Sequence, residues 1–193
     1  TPLGSETLFA IYETAADLDL VIFVHPLRPV GVDRIGRAPE YGAVAAFPLE
    51  TALAAVSMMA GGVLARFPNL RVLLSHGGGA LPWILPRLDY GRTLGGAVAA
   101  DISVAPSELA QKFWYDTVLY SERSLRFLAD SIGEDHIVVG SDYPFTIRQK
   151  QPGDFAARAL GIDSPALSRN AERLLALDMF RGSRSRAMAG TRS

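Results

Sequence analysis

The chain has 193 residues, 49% of them hydrophobic and 20% charged, a balance that supports one packed domain and excludes a disordered chain. Its 19 basic and 20 acidic residues leave a net charge of −1, so no overall field favours nucleic acid or an anionic membrane surface as a partner. Without any cysteine there is no disulfide, no thiolate metal site and no thiol nucleophile, and a resident metal has to be held by His and carboxylates.

The N-terminus carries no basic-then-apolar leader pattern, and no uninterrupted run of 18 apolar residues occurs, so a soluble, cytoplasmic chain is expected. Ser5 caps a first predicted helix to about Leu18, with Leu8, Ile11, Ala15 and Leu18 recurring at helical spacing. Residues 20–25, Leu-Val-Ile-Phe-Val-His, are a β-branched run stopped by Pro26, the pattern of a parallel strand buried on both faces. Residues 28–47 carry Pro29, Gly31, Gly36, Pro39 and Gly42 and no period; a connection of that length is expected to be functional. Pro48 opens a long apolar helix over about 49–66, ended by Pro68 and Asn69, whose all-round apolarity predicts burial, in part against another subunit. Three more strands follow. Residues 71–76 enter Gly77-Gly78-Gly79 and a helix from near Pro82, residues 113–117 precede a helix over 121–132, and residues 137–142 end at Tyr143-Pro144-Phe145. Helical patterns at 154–160 and 165–177 complete one domain, residues 1–180. The stretch 181–193, with Arg181, Arg184, Arg186 and Arg192 and no acid, is expected to be a disordered basic tail.

Strands alternating with helices define an α/β protein with a parallel sheet, and such sheets place ligands at the carboxyl ends of their strands. His25, His76, Asp116 and Asp142 each stand at or beside the end of a predicted strand, so a barrel or a doubly wound sheet gathers them around one mouth. His136 begins its strand, on the opposite rim, and reads as structural. A lone strand-end histidine is more often simply hydrogen-bonded, but two imidazoles and a carboxylate together suit Zn2+, Mn2+ or Fe2+. Gly77–Gly79 reads as a mixture, a tight turn that projects His76 and whose amides also help hold a carboxylate; the third glycine of a dinucleotide fingerprint is missing and no Walker motif occurs. Asp116 either orients a ligand or caps a loop. Phe47 and Trp83 are candidate walls of a substrate pocket. Arg87 lies along a helix leading away from the mouth, badly placed for its own site and better placed for a neighbouring subunit's.

Five stretches carry a family resemblance: Phe23-Val24-His25-Pro26, Phe47-Pro48-Leu49-Glu50-Thr51, residues 61–68 (GGVLARFP), residues 75–80 (SHGGGA) and residues 140–145 (GSDYPF). In order, and up to about residue 177, they resemble the amidohydrolase-related family of aminocarboxymuconate semialdehyde decarboxylase. The resemblance implies a (β/α)8 TIM barrel of the metal-dependent hydrolase superfamily with one divalent ion, Zn2+ or alternatively Mn2+. It implies that His25 and Asp142 are metal ligands. His76 is then the acid–base residue that activates metal-bound water or shuttles a proton. Arg87, eleven residues after His76, is then expected to reach the substrate carboxylate of the other subunit of a homodimer or higher homo-oligomer. The family's first strand carries a His-x-His or Glu-x-His metal motif, which this chain lacks. Four predicted strands against a barrel's eight, and 193 residues against about 250, point to the C-terminal half to two-thirds of a barrel. The implied function is a metal-dependent carboxy-lyase, a non-oxidative decarboxylase of an unsaturated or aromatic carboxylic acid. A hydrolase of a lactone, ester or amide is the alternative, and a non-catalytic metal-less fragment a further one.

Overall fold

The structure, a computed structural model, describes residues 1–161 and 164–177; the stretch 181–193 lies outside them. Ser5 Oγ accepts from the Thr7 amide and starts a 3-10 turn, Glu6–Leu8, that leads into α1 (Phe9–Asp17). Tyr12 and Ala15 are buried, whereas Ile11 and Leu18 are more than half exposed. The tighter opening turn, with three residues per turn, shifts the helix phase, so Phe9 and Tyr12 meet the ring of Phe67 edge to face, while of the predicted stripe Leu8 and Ala15 keep their place on the core and Ile11 and Leu18 lose it.

Four strands, β1 (Val21–Val24), β2 (Arg71–Leu74), β3 (Trp114–Asp116) and β4 (Ile137–Val138), pair in parallel in chain order. The register sets Val24 against Leu74, Leu74 against Tyr115 and Asp116 against Val138, which levels their carboxyl ends. The strands stop short of the apolar runs that encode them because His25, Ser75, Thr117 and residues 139–142 leave the ladder to build the loops of the mouth.

Between β1 and β2, a π turn (Gly42–Ala46) runs into α2 (Phe47–Ala60), and Gly62, with φ +67°, separates it from α3 (Val63–Arg66). The one predicted helix over 49–66 is thus two, divided where only glycine is at ease. The stretch Gly42–Ala60 is long and apolar enough to cross a membrane. Here Ala52, Ala55, Met58 and Met59 pack into the core while Leu49 and Leu53 stay exposed, so burial is one-sided where all-round burial was expected. After β2 come α4 (Leu81–Thr93), α5 (Gly96–Asp101) and α6 (Pro106–Ala110). After β3 comes α7 (Glu122–Ile132), capped by Ser121 Oγ on the Ser124 amide, and after β4 come α8 (Pro152–Leu160) and α9 (Ser164–Leu174).

The sheet's helix-covered face carries Val72, Leu74, Tyr115 and Ile137, all fully buried against Ala55, Met58, Leu81, Leu125 and Phe155; each such aliphatic side chain contributes about 1.5–3 kcal/mol. The other face is covered only in part. Leu174 and Ala171 of α9 pack on Trp114, Val138, Val21 and Leu73, but Phe23 of β1 is 55% exposed. The expectation of a strand buried on both faces therefore fails at β1, an edge strand with one face uncovered among the described residues.

Candidate metal and acid–base site

β1 delivers His25, β2 delivers Ser75 and His76, and the loop after β4 delivers Asp142. His25, His76 and Asp142 each offer a ligand atom, and these atoms lie within 4.8 Å of one another. His25 Nε2 is 3.6 Å from Asp142 Oδ1, and the two imidazole centroids are 5.0 Å apart. His25 Nδ1 is 2.9 Å from the Pro26 carbonyl oxygen. A carbonyl only accepts, so Nδ1 carries the hydrogen and Nε2 the lone pair in the neutral ring. That Nε2 is buried and has no hydrogen-bond partner among the described residues. A buried, unpartnered imidazole nitrogen beside a carboxylate, its ring oriented by a backbone carbonyl, is the donor arrangement of a divalent metal site, and these residues fit one.

Backbone strain collects at the same place. Five non-glycine residues have positive φ among the described residues, and three of them, His76 (+57°), Tyr120 (+56°) and Asp142 (+61°), line one cavity of about 180 Å3 with Val44 and Ile147. Each such residue costs on the order of 1–3 kcal/mol, a burden typical of functional sites.

Asp116 holds the turn behind His76. It is buried, and its Oδ1 accepts from the amides of Gly77 (2.9 Å) and Val118 (3.0 Å). Burial pushes its carboxyl up to about 6 against the opposing pull of those amides. The glycine amides are all engaged inward: Gly77 on Asp116, Gly78 on the Ser75 carbonyl, Gly79 on that of His76, with Ala80 on that of Pro48. Of the mixed reading of Gly77–Gly79 the tight turn stands, and the part that gave its amides to a ligand carboxylate falls away, since no amide there is left to donate. Burial, reinforced by His25 and opposed by Asp142, pushes His76 down to about 4, which keeps its imidazole neutral at pH 7.

Phe47 reaches the site, its ring 5.9 Å from that of His25 and 6.4 Å from that of His76. Phe145 stacks on His25 at 6.0 Å and, with Phe23, Val139 and Tyr143, lines a second cavity of about 490 Å3 beside Asp142. Trp83 and Arg87 line neither cavity. Trp83 is 76% exposed and packs on Phe127 in a separate groove with Arg123; Arg87 is exposed on α4. His136 lies at the far rim against Trp114. Sequence reasoning did not single out Thr51, Ser75, Tyr120 or Phe145 as site residues. Ser75, immediately before His76, was the available signal.

Strand-end histidines and an aspartate over the mouth of a parallel sheet define a barrel protein of the metal-dependent type, and the chain belongs to the amidohydrolase family, whose model matches residues 1–177. It is 37% identical over 154 residues to 2-amino-3-carboxymuconate-6-semialdehyde decarboxylase of Dictyostelium discoideum, covering 78% of this chain and 42% of that relative. The apo crystal structure of Metarhizium anisopliae IDCase superposes with a TM-score of 0.77 at 27% identity, covering 91% of this chain and 53% of that one. A dihydroxybenzoic acid decarboxylase from Polaromonas, solved with manganese and 2-nitroresorcinol, shares the fold with a TM-score of 0.71 at 24% identity, over 92% of this chain and 56% of that one. The chain thus spans about half the length of these proteins. Its four strands are part of a TIM barrel, as the resemblance implied; the strand pattern alone had implied a parallel α/β sheet.

Proposed function

We propose that the protein is a metal-dependent carboxy-lyase that releases CO2 from an unsaturated or aromatic carboxylic acid without an oxidant. The observation that carries this reading is the convergence of His25, His76 and Asp142 within 4.8 Å, and the names of the similar decarboxylases support it. His25 Nε2 and Asp142 would hold the ion, Zn2+ or Mn2+. When bound, the ion supplies Lewis acidity to the substrate's oxygens. Breaking the C–CO2 bond leaves an electron pair on carbon that must take up one proton, and His76 is the group that moves it. The rings of Phe47 and Phe145 fit a flat, unsaturated substrate. Arg87 clamps a carboxylate in the neighbouring subunit of a homodimer.

The whole protein, loaded with Zn2+ or Mn2+, is to be offered 2-amino-3-carboxymuconate-6-semialdehyde and dihydroxybenzoic acid. CO2 release is expected, and His76→Ala should lower turnover by roughly 100-fold or more at unchanged metal content. Retained turnover in that variant would remove His76 from the mechanism, and a new acid plus alcohol or amine from ester or amide probes, without CO2, would make the protein a hydrolase. Arg87→Ala should also be nearly inactive. Mixing it with His76→Ala should recover activity, because a mixed dimer holds one site with both groups intact; no recovery would place Arg87 outside the neighbouring site.

A further inference from the structure

Behind His76 stands a line of buried hydroxyls whose hydrogens can be counted. Thr51 and Ser75 are 0% and 1% exposed and His76 is 7% exposed. Thr51 Oγ1 donates to the Phe47 carbonyl at 3.1 Å. Ser75 Oγ lies 3.4 Å from Thr51 Oγ1 and 3.2 Å from His76 Nδ1. A hydroxyl has one hydrogen. That of Thr51 goes to a carbonyl oxygen, which only accepts, so the Thr51–Ser75 contact must use the hydrogen of Ser75. Ser75 Oγ then has only lone pairs to offer His76, and Nδ1 must bear a hydrogen. The count holds whether or not the other ring nitrogen is protonated.

We infer that Thr51 and Ser75 are positioning residues which lock His76 in the Nδ1–H tautomer and so reserve the lone pair of Nε2 for proton transfer. The relay starts on α2 and ends on the turn after β2, elements also joined by the Ala80 amide on the Pro48 carbonyl. Gly79 makes that approach possible, since a Cβ there would stand 1.8 Å from the Pro48 oxygen. The catalytic meaning of the relay rests on the reading of His76 as the acid–base residue; the tautomer itself does not.

The test is a long-range proton–nitrogen spectrum of the whole protein labelled with 15N at histidine, with the His76 signals assigned by their loss in His76→Gln. Wild type should show a protonated, pyrrole-type Nδ1 and a bare, pyridine-type Nε2. Thr51→Val keeps the shape but removes the acceptor for Ser75, whose hydrogen then turns to Nδ1, so the two signal types should exchange. Thr51→Ser should restore the wild-type pattern. For the acid that turns over in the screen above, Thr51→Val should lower kcat roughly 10- to 100-fold with KM little changed, and Thr51→Ser should recover it. A wild-type His76 with hydrogen on Nε2, or a tautomer that Thr51→Val leaves unmoved, overturns the relay. Zn2+ shifting Nε2 of His76 as strongly as Nε2 of His25 would instead overturn the acid–base reading and leave the relay standing.

Discussion

At Asp116 two buried amide hydrogens, from Gly77 and Val118, converge on one carboxylate oxygen. Replacing the side chain by Ala leaves both donors without an acceptor, and each such buried group costs about 1–3 kcal/mol. Asp116→Ala should therefore lower unfolding stability by roughly 2–5 kcal/mol, read from denaturant midpoints, and should release the turn that holds His76 at positive φ. Asn keeps an oxygen in the same place and sheds the carboxylate charge, whose burial pushes the carboxyl up to about 6, so Asp116→Asn should stay close to wild type. Equal damage from Asn and Ala would show that charge, not hydrogen bonding, holds the turn. The strand-end position of Asp116 was legible in the sequence, as were those of His25 and His76, whereas Asp142, expected at the end of its strand, lies in the loop beyond Val138. The role of Asp116 was not legible, because the choice between facing a ligand and facing a loop depends on the residue where the β3–β4 ladder ends.

The turn after β2 and the start of α2 meet without a gap, and glycine sets the distance between these elements. Gly79 has φ +61° and ψ −125°, a region closed to side chains, and an added Cβ would lie 1.8 Å from the Pro48 oxygen. Gly62, between α2 and α3, has φ +67° but open space around it. Gly62→Ala should cost only the left-handed penalty of about 1–2 kcal/mol. Gly79→Ala must in addition push α2 from the turn, so a larger loss of stability is expected, together with weaker uptake of the proposed Zn2+ or Mn2+ ion, measured by calorimetry. Equal effects at both positions would mean that the α2 contact is dispensable. Element existence was widely legible: the four strand runs and the helix predicted over 121–132 all match. Phase and continuity were less so. The shifted face of α1 follows from a 3-10 turn that apolar spacing does not announce, and the break at Gly61-Gly62 is hidden inside an unbroken apolar pattern.

Among the described residues, one sheet face is packed and the other is only half covered. α9 closes the lower end through Leu174 against Trp114 and Val138, while Phe23, Val139 and Phe145 leave the upper end apolar and accessible. The two outer strands, β1 and β4, have a single partner each among the described residues. Length and strand count marked the chain as part of a barrel only once the family resemblance set the expectation of eight strands; the identity of the open face was not legible, because the run Leu-Val-Ile-Phe-Val shows no alternation to mark it. A sheet with bare outer strands and an apolar face is a template for association. The 193-residue chain by itself should therefore bind a hydrophobic dye such as ANS and sediment with a mass that rises with concentration. Phe23→Lys places a charge on an edge strand at a position already 55% exposed, so it should weaken both effects while changing stability by less than about 1 kcal/mol. A chain that stays monomeric and dye-free at all concentrations would show that the upper face is closed in solution.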